Sequence, residues 1–121
     1  LTDGMSLPPL APASLDFVVS FDVFVHFEPR LVFWYLRQIK PLLKTGGVGI
    51  IHYASVITPI GWRQFEADLE GNVRQRTSFC AFGTMCPQLM EHFLKALDLQ
   101  VISSDVGLIP RDAITIFRKR D

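Results

Sequence analysis

Between Leu15 and His26 the chain reads Leu-Asp-Phe-Val-Val-Ser-Phe-Asp-Val-Phe-Val-His, and no other stretch limits its folds so strongly. Phe17 to Ser20 is apolar, rich in β-branched residues and too short for a helix, which predicts a buried strand ending at Ser20 and Asp22. Glu28-Pro29 then opens a helix, and Val32, Tyr35, Leu36, Ile39 and Leu43 recur at helical spacing. Pro41 interrupts the last turn, and Lys44-Thr45-Gly46-Gly47 ends it with glycine available for a left-handed cap. Val48 to Ala54 is a second apolar run, as expected of a parallel strand covered on both faces. The unit is strand, helix, strand. In an open α/β sheet, ligands sit outside the carboxyl ends of the strands, so Ser20, Phe21, Asp22, Val25 and His26 are the first candidates to line a site.

Upstream, Asp3-Gly4 is a turn dipeptide, and Pro8, Pro9 and Pro12 keep the chain irregular up to Ser14. Downstream, Gly61 to Leu69 predicts a helix with Trp62, Phe65 and Leu69 on one stripe, ended by Gly71-Asn72. Val73 to Gly83 has no convincing period and is expected to be a loop or lid. Cys86-Pro87 opens a helix through Leu97 whose buried face is Leu89, Met90, Phe93, Leu94 and Leu97. Strands follow from Leu99 to Asp105 and from Ala113 to Phe117; the short turn between them makes them antiparallel.

With 121 residues the chain has room for one domain. Its 12 basic and 12 acidic side chains cancel, so no basic field points to nucleic acid or an anionic membrane, and a small neutral or zwitterionic ligand fits better. The longest apolar block, Leu31 to Leu36, falls far short of a span of about 20 residues. Cys80 and Cys86 make neither a disulfide framework nor a zinc spacing, so no metal is implied and reduced thiols in a cytoplasm are expected. Leu-Thr-Asp-Gly is a turn that normally needs something before it, and the chain reads as a fragment.

In order and spacing, three segments resemble the C-terminal half of a class I, Rossmann-like S-adenosylmethionine-dependent methyltransferase: Leu15 to His26, Tyr35-Leu36, and Leu42-Leu43-Lys44-Thr45-Gly46-Gly47-Val48-Gly49-Ile50-Ile51-His52. They look like the family's fourth strand, the following helix, the Leu-Lys-Pro-Gly-Gly turn and the fifth strand, with Thr45 standing where the family usually has proline. The resemblance implies a partial three-layer α/β fold holding strands four, five, seven and six, the last strand antiparallel. Residues 1–121 would then be the C-terminal part of one domain. The family's glycine-rich turn and ribose-binding acid belong to the other half. An unpaired edge on the first strand is expected, with self-association as one way of covering it.

The resemblance also assigns roles. Asp3, Gly4 and Met5 sit where the family meets the adenine, through a carboxylate and neighbouring backbone. Ser20, Phe21 and Asp22 fall at the strand end that lines the cofactor pocket, with Phe21 and Val25 as apolar walls. Asp22 serves equally well as the cap of its own turn. Methyl transfer to a hydroxyl needs a base, and His26 is the candidate. His52 and Tyr53 approach the end of the next strand on alternating sides, and with Trp62 and Arg111 they are the candidate acceptor contacts. Gly46-Gly47 is structural.

The reading that follows is methyl transfer from S-adenosylmethionine to a small molecule, with a hydroxyl as favoured acceptor. The alternative is a non-catalytic α/β half-domain that docks its open sheet edge on a partner chain. A dehydrogenase would need a glycine fingerprint after a strand, and a serine hydrolase a Gly-x-Ser-x-Gly elbow; neither motif occurs.

Overall fold

Leu15–Ser20 forms strand β1 and Leu43–Ala54 strand β2 in a computed structural model that describes residues 4–75 and 84–121. The two run parallel, with Phe17 opposite Val48 and Ser20 opposite Ile51. Helix α1, Pro29–Leu42, makes the crossover that parallel pairing requires, and Pro29 stands at its first turn after an extended Glu28. A short 3-10 turn at Phe24–His26 links β1 to α1. Helices α2 (Pro59–Gln75) and α3 (Pro87–Ala96) and strands β3 (Leu99–Asp105) and β4 (Asp112–Lys119) complete the chain. β4 lies antiparallel between β2 and β3, so the sheet order is β1-β2-β4-β3. This is the four, five, seven, six order that the resemblance implies.

Helices α1 and α2 differ from the expectation at their ends. The end of α1 has no glycine cap, because Leu43 is already extended and β2 begins where the helix stops. Lys44 to Gly47 instead bulge out of β2 opposite Asp16, with Gly46 at φ +81° inside the bulge. The last carbonyls of α1 are satisfied from upstream, Pro41 accepting from the Ala13 amide and Leu42 from the Ser14 amide, both at 2.9 Å. Helix α2 starts earlier and ends later than its periodicity suggests. Thr58 Oγ1 accepts the Gly61 amide at 3.0 Å as an N-cap before Pro59, and Gly71 lies within the helix. A helical glycine costs only about 1 kcal/mol against alanine, too little to stop a helix by itself. The segment expected to be a loop or lid is thus helical as far as Gln75, and its remainder lies outside the described residues.

One face of the sheet carries the core. Val32, Leu36 and Ile39 of α1 and Met90 and Leu94 of α3 pack with Leu43, Ile51, Tyr53, Ala113 and Phe117. Complete burial of each large apolar side chain stabilises by about 1.5–3 kcal/mol. Gly49 makes space for Phe117 directly across the β2–β4 pair, where a Cβ would fall 2.1 Å from the ring. The other face is covered less well. Phe17 and Val19 are 67% and 56% exposed, and Val48, Ile50, Ile114 and Ile116 are half-buried. Among the described residues the fold has two of the three expected layers, and β2 is buried on both faces only towards its end, where His52 is enclosed.

Candidate cofactor and active site

β1 stops at Ser20, and the chain turns within two residues. Asp22 takes φ +59°, a left-handed conformation that aspartate enters more readily than most side chains. Its amide donates to Nδ1 of His52 at 2.9 Å, while the Phe21 ring stacks on the imidazole with centroids 4.3 Å apart and planes at 19°. Because Nδ1 accepts, the ring proton resides on Nε2, which donates to Oδ2 of Asp112 at 2.7 Å. Arg111 grips the same carboxylate through Nε and through a terminal nitrogen 2.7 Å from Oδ2.

His52 and Asp112 are 3% and 1% exposed, so this line of groups runs from the sheet interior to its surface. Burial pushes the Asp112 carboxyl up, but hydrogen bonds from Arg111 and His52, with the guanidinium charge, outweigh it and hold the group below its ordinary 3.8. The Asp112 hydrogen bond likewise raises Arg111.

The structure brings Phe21, Asp22, His52 and Arg111 into one cluster joined through Asp112, and Ser20 adjoins it only along the chain. Ser20 is half-buried and lines a mostly apolar cavity of about 310 Å³ with Leu7, Val23, Phe24, Phe27 and Tyr35. Gly4 and Met5 border this region from the helix side. The Gly4 carbonyl accepts from the Tyr35 hydroxyl at 2.5 Å, and the Met5 carbonyl from Trp34 Nε1 at 2.6 Å and Gln38 Nε2 at 3.0 Å. Asp3 lies outside the described residues. Val25 is wholly buried, so any wall it forms lies behind the surface, whereas His26 is exposed at the end of the 3-10 turn.

Tyr53 also faces inward. Its hydroxyl shares a hydrogen bond with Thr115 Oγ1 at 2.8 Å, and burial, partly opposed by that bond, pushes it up to about 12. Trp62 is 49% exposed on the first turn of α2 and stacks on Phe65.

Sequence reasoning missed Asp112, which joins His52 to Arg111. Asp112 stands at the end of a turn, its amide donating to the Ile109 carbonyl at 2.9 Å, and nothing local in the sequence marks its side chain. Thr58 was missed too, though Thr-Pro ahead of a helix is an N-cap signature.

No protein-family model and no curated protein matches this chain. Solved structures do match. A protein from Pyrococcus horikoshii OT3 superposes with a TM-score of 0.67 at 19% identity, over 98% of this chain and 57% of its own. A S-adenosylmethionine-dependent methyltransferase from Methanosarcina mazei gives 0.69 at 14% identity, over 98% and 65%. The Burkholderia thailandensis 1,6-didemethyltoxoflavin-N1-methyltransferase, solved with bound 1,6-didemethyltoxoflavin and S-adenosylhomocysteine, gives 0.62 at 13% identity, over 94% and 48%. The chain has a partial Rossmann-like fold of the kind seen in methyltransferases. It spans 57% and 65% of the length of the first two of these neighbours.

The strand end of this methyltransferase fold suits the cofactor chemically. S-Adenosylmethionine carries positive charge at its sulfonium and ammonium groups and hydroxyl donors on its ribose. Phe21 presents an aromatic ring that is 61% exposed, and none of the hydrogen bonds among the described residues uses the Asp22 carboxylate. No helix among the described residues is long and apolar enough to cross a membrane.

Proposed function

We propose that the natural protein transfers a methyl group from S-adenosylmethionine to a small-molecule acceptor, with a hydroxyl favoured, and that residues 1–121 are the C-terminal part of its single catalytic domain. The observation that carries this reading is the strand end itself: in a β1-β2-β4-β3 sheet, Phe21 and Asp22 stand at the carboxyl end of β1, an aromatic face beside an acceptor carboxylate. Ser20, Phe21 and Asp22 hold the cofactor there, backed by Val25, with Asp3, Gly4 and Met5 on the adenine side. The bound cofactor supplies an electrophilic methyl group. His26 would take the hydroxyl proton of the acceptor on an imidazole nitrogen as the new oxygen–carbon bond forms, the sulfur–methyl bond being the one broken and the thioether S-adenosylhomocysteine the leaving group. Trp62 and Arg111 contact the acceptor, while His52 and Tyr53 support that side from within the sheet.

The test is transfer of labelled methyl to a panel of hydroxyl and amine acceptors by the full-length natural protein. His26→Gln is expected to lower kcat by about a hundredfold while cofactor affinity stays within a fewfold. Unchanged turnover removes His26 from the chemistry, and label on amines alone changes the acceptor class.

A second reading has its own observation. Phe17 and Val19 are exposed beside an edge of β1 that has no strand partner among the described residues, as a docking half-domain would require. Folding that depends on protein concentration, with no cofactor binding by the full-length protein, favours this alternative.

A further inference from the structure

The sequence offers His52 as an acceptor contact, yet its ring has no nitrogen left to offer a ligand. Nδ1 is taken by the Asp22 amide and Nε2 by Asp112. The chain of partners has a direction: Arg111 fixes the Asp112 carboxylate, the carboxylate accepts the Nε2 proton and so sets the tautomer, and the resulting lone pair on Nδ1 receives the Asp22 amide. At the end of the chain is a residue in a left-handed conformation at φ +59°, which backbone sterics alone do not favour.

We infer that His52 is a positioning residue, locked in its Nε2-protonated form by Asp112 and Arg111 so that Nδ1 holds the Asp22 turn in the conformation that presents its carboxylate. Phe21 takes part through its ring, since stacking on the imidazole fixes the direction in which the turn leaves β1. The opposite tautomer would set two N–H groups against each other at Asp22 and leave a buried carboxylate facing a lone pair. The network therefore admits one proton arrangement. The consequence for ligand binding rests on the proposed cofactor site; the consequence for the turn does not.

The experiment is made on the full-length natural protein. In the unaltered protein, nitrogen NMR of the His52 ring is expected to show a protonated Nε2 and an unprotonated, hydrogen-bonded Nδ1; the reverse pattern overturns the inference. Amide exchange at Asp22 is then compared in two variants, with Ile116 on β4 as the folded reference. His52→Phe keeps a ring for Phe21 but offers Asp22 no acceptor, whereas the amide oxygen of His52→Asn falls close to the position of Nδ1.

Exchange at Asp22 is expected to accelerate about three- to tenfold in His52→Phe, the loss of one hydrogen bond, and to return most of the way in His52→Asn. Equal exchange in all three proteins overturns the inference. S-Adenosylhomocysteine affinity should follow the same order. If the ligand binds none of the proteins while exchange still separates them, the positioning role stands and the cofactor reading fails.

Discussion

Nε2 of His52 lies 2.7 Å from Oδ2 of Asp112, and both residues are shielded almost completely from solvent. A buried carboxylate in that position is tolerable only while its donors are present. Asp112 is held below its ordinary value, so in the folded protein it stays ionised at pH values where the unfolded chain already takes up a proton. Its stabilising contribution is complete above about pH 4 and disappears as pH falls through the folded value. Urea midpoints measured from pH 6 to pH 2 should drop across that window, and the drop should be smaller in Asp112→Asn.

Gly61 and Gly71 occupy the same helix and should respond in opposite ways. A Cβ on Gly61 would lie 1.8 Å from the Ser55 carbonyl oxygen, backbone that cannot move aside, whereas one on Gly71 meets nothing within 4 Å. Gly61→Ala should therefore destabilise by about 3 kcal/mol, at the top of the usual overpacking range. Gly71→Ala should stabilise by up to about 1 kcal/mol through helix propensity. Thermal melts of the pair, made side by side, test the placement of the start of α2.

Gly49 and Phe117 form a cross-strand pair in which the ring fills the space a side chain would need. Gly49→Ala alone should cost about 1–3 kcal/mol. Adding Phe117→Leu to it should cost less than the two single changes summed, because the smaller side chain relieves the clash. Additive costs in that double-mutant cycle would place Phe117 elsewhere.

Tyr53 gives the alkaline counterpart. Burial pushes its hydroxyl from 10.0 up to about 12, so the unfolded chain ionises first and stability falls as pH rises through that interval. In Tyr53→Phe the lost Thr115 hydrogen bond should cost about 1 kcal/mol near neutrality. Thr115 keeps its contact with Ser104 at 3.0 Å, and the decline in stability above pH 10 should become shallower.

The sheet was legible because period and order carry it. Phe17 to Ser20 and Val48 to Ala54 allow little but strands, and a helix between them forces parallel pairing. The short connection before Ala113 likewise forces β3 and β4 antiparallel. Lys44 to Gly47 misled because glycine serves a β-bulge as readily as a helix cap, and only the register against Asp16 separates the two. Position in an α/β sheet is what marks Ser20, Phe21 and Asp22 as candidates. Nothing marks Asp112 in this way, since its partner His52 is 60 residues away and the contact exists only once β2 and β4 pair. Local spacing carries no trace of such a contact.

The carboxyl end of β1 forms part of the S-adenosylmethionine site proposed for the natural protein. Calorimetric titration of S-adenosylhomocysteine into residues 1–121 and into a longer form extended upstream of Leu1 tests it most directly. Tight binding is expected only in the longer form, weakened about tenfold or more by Asp22→Ala, the loss of a charge-assisted hydrogen bond. Absence of binding by the longer form, or binding indifferent to Asp22, removes the cofactor from the end of β1.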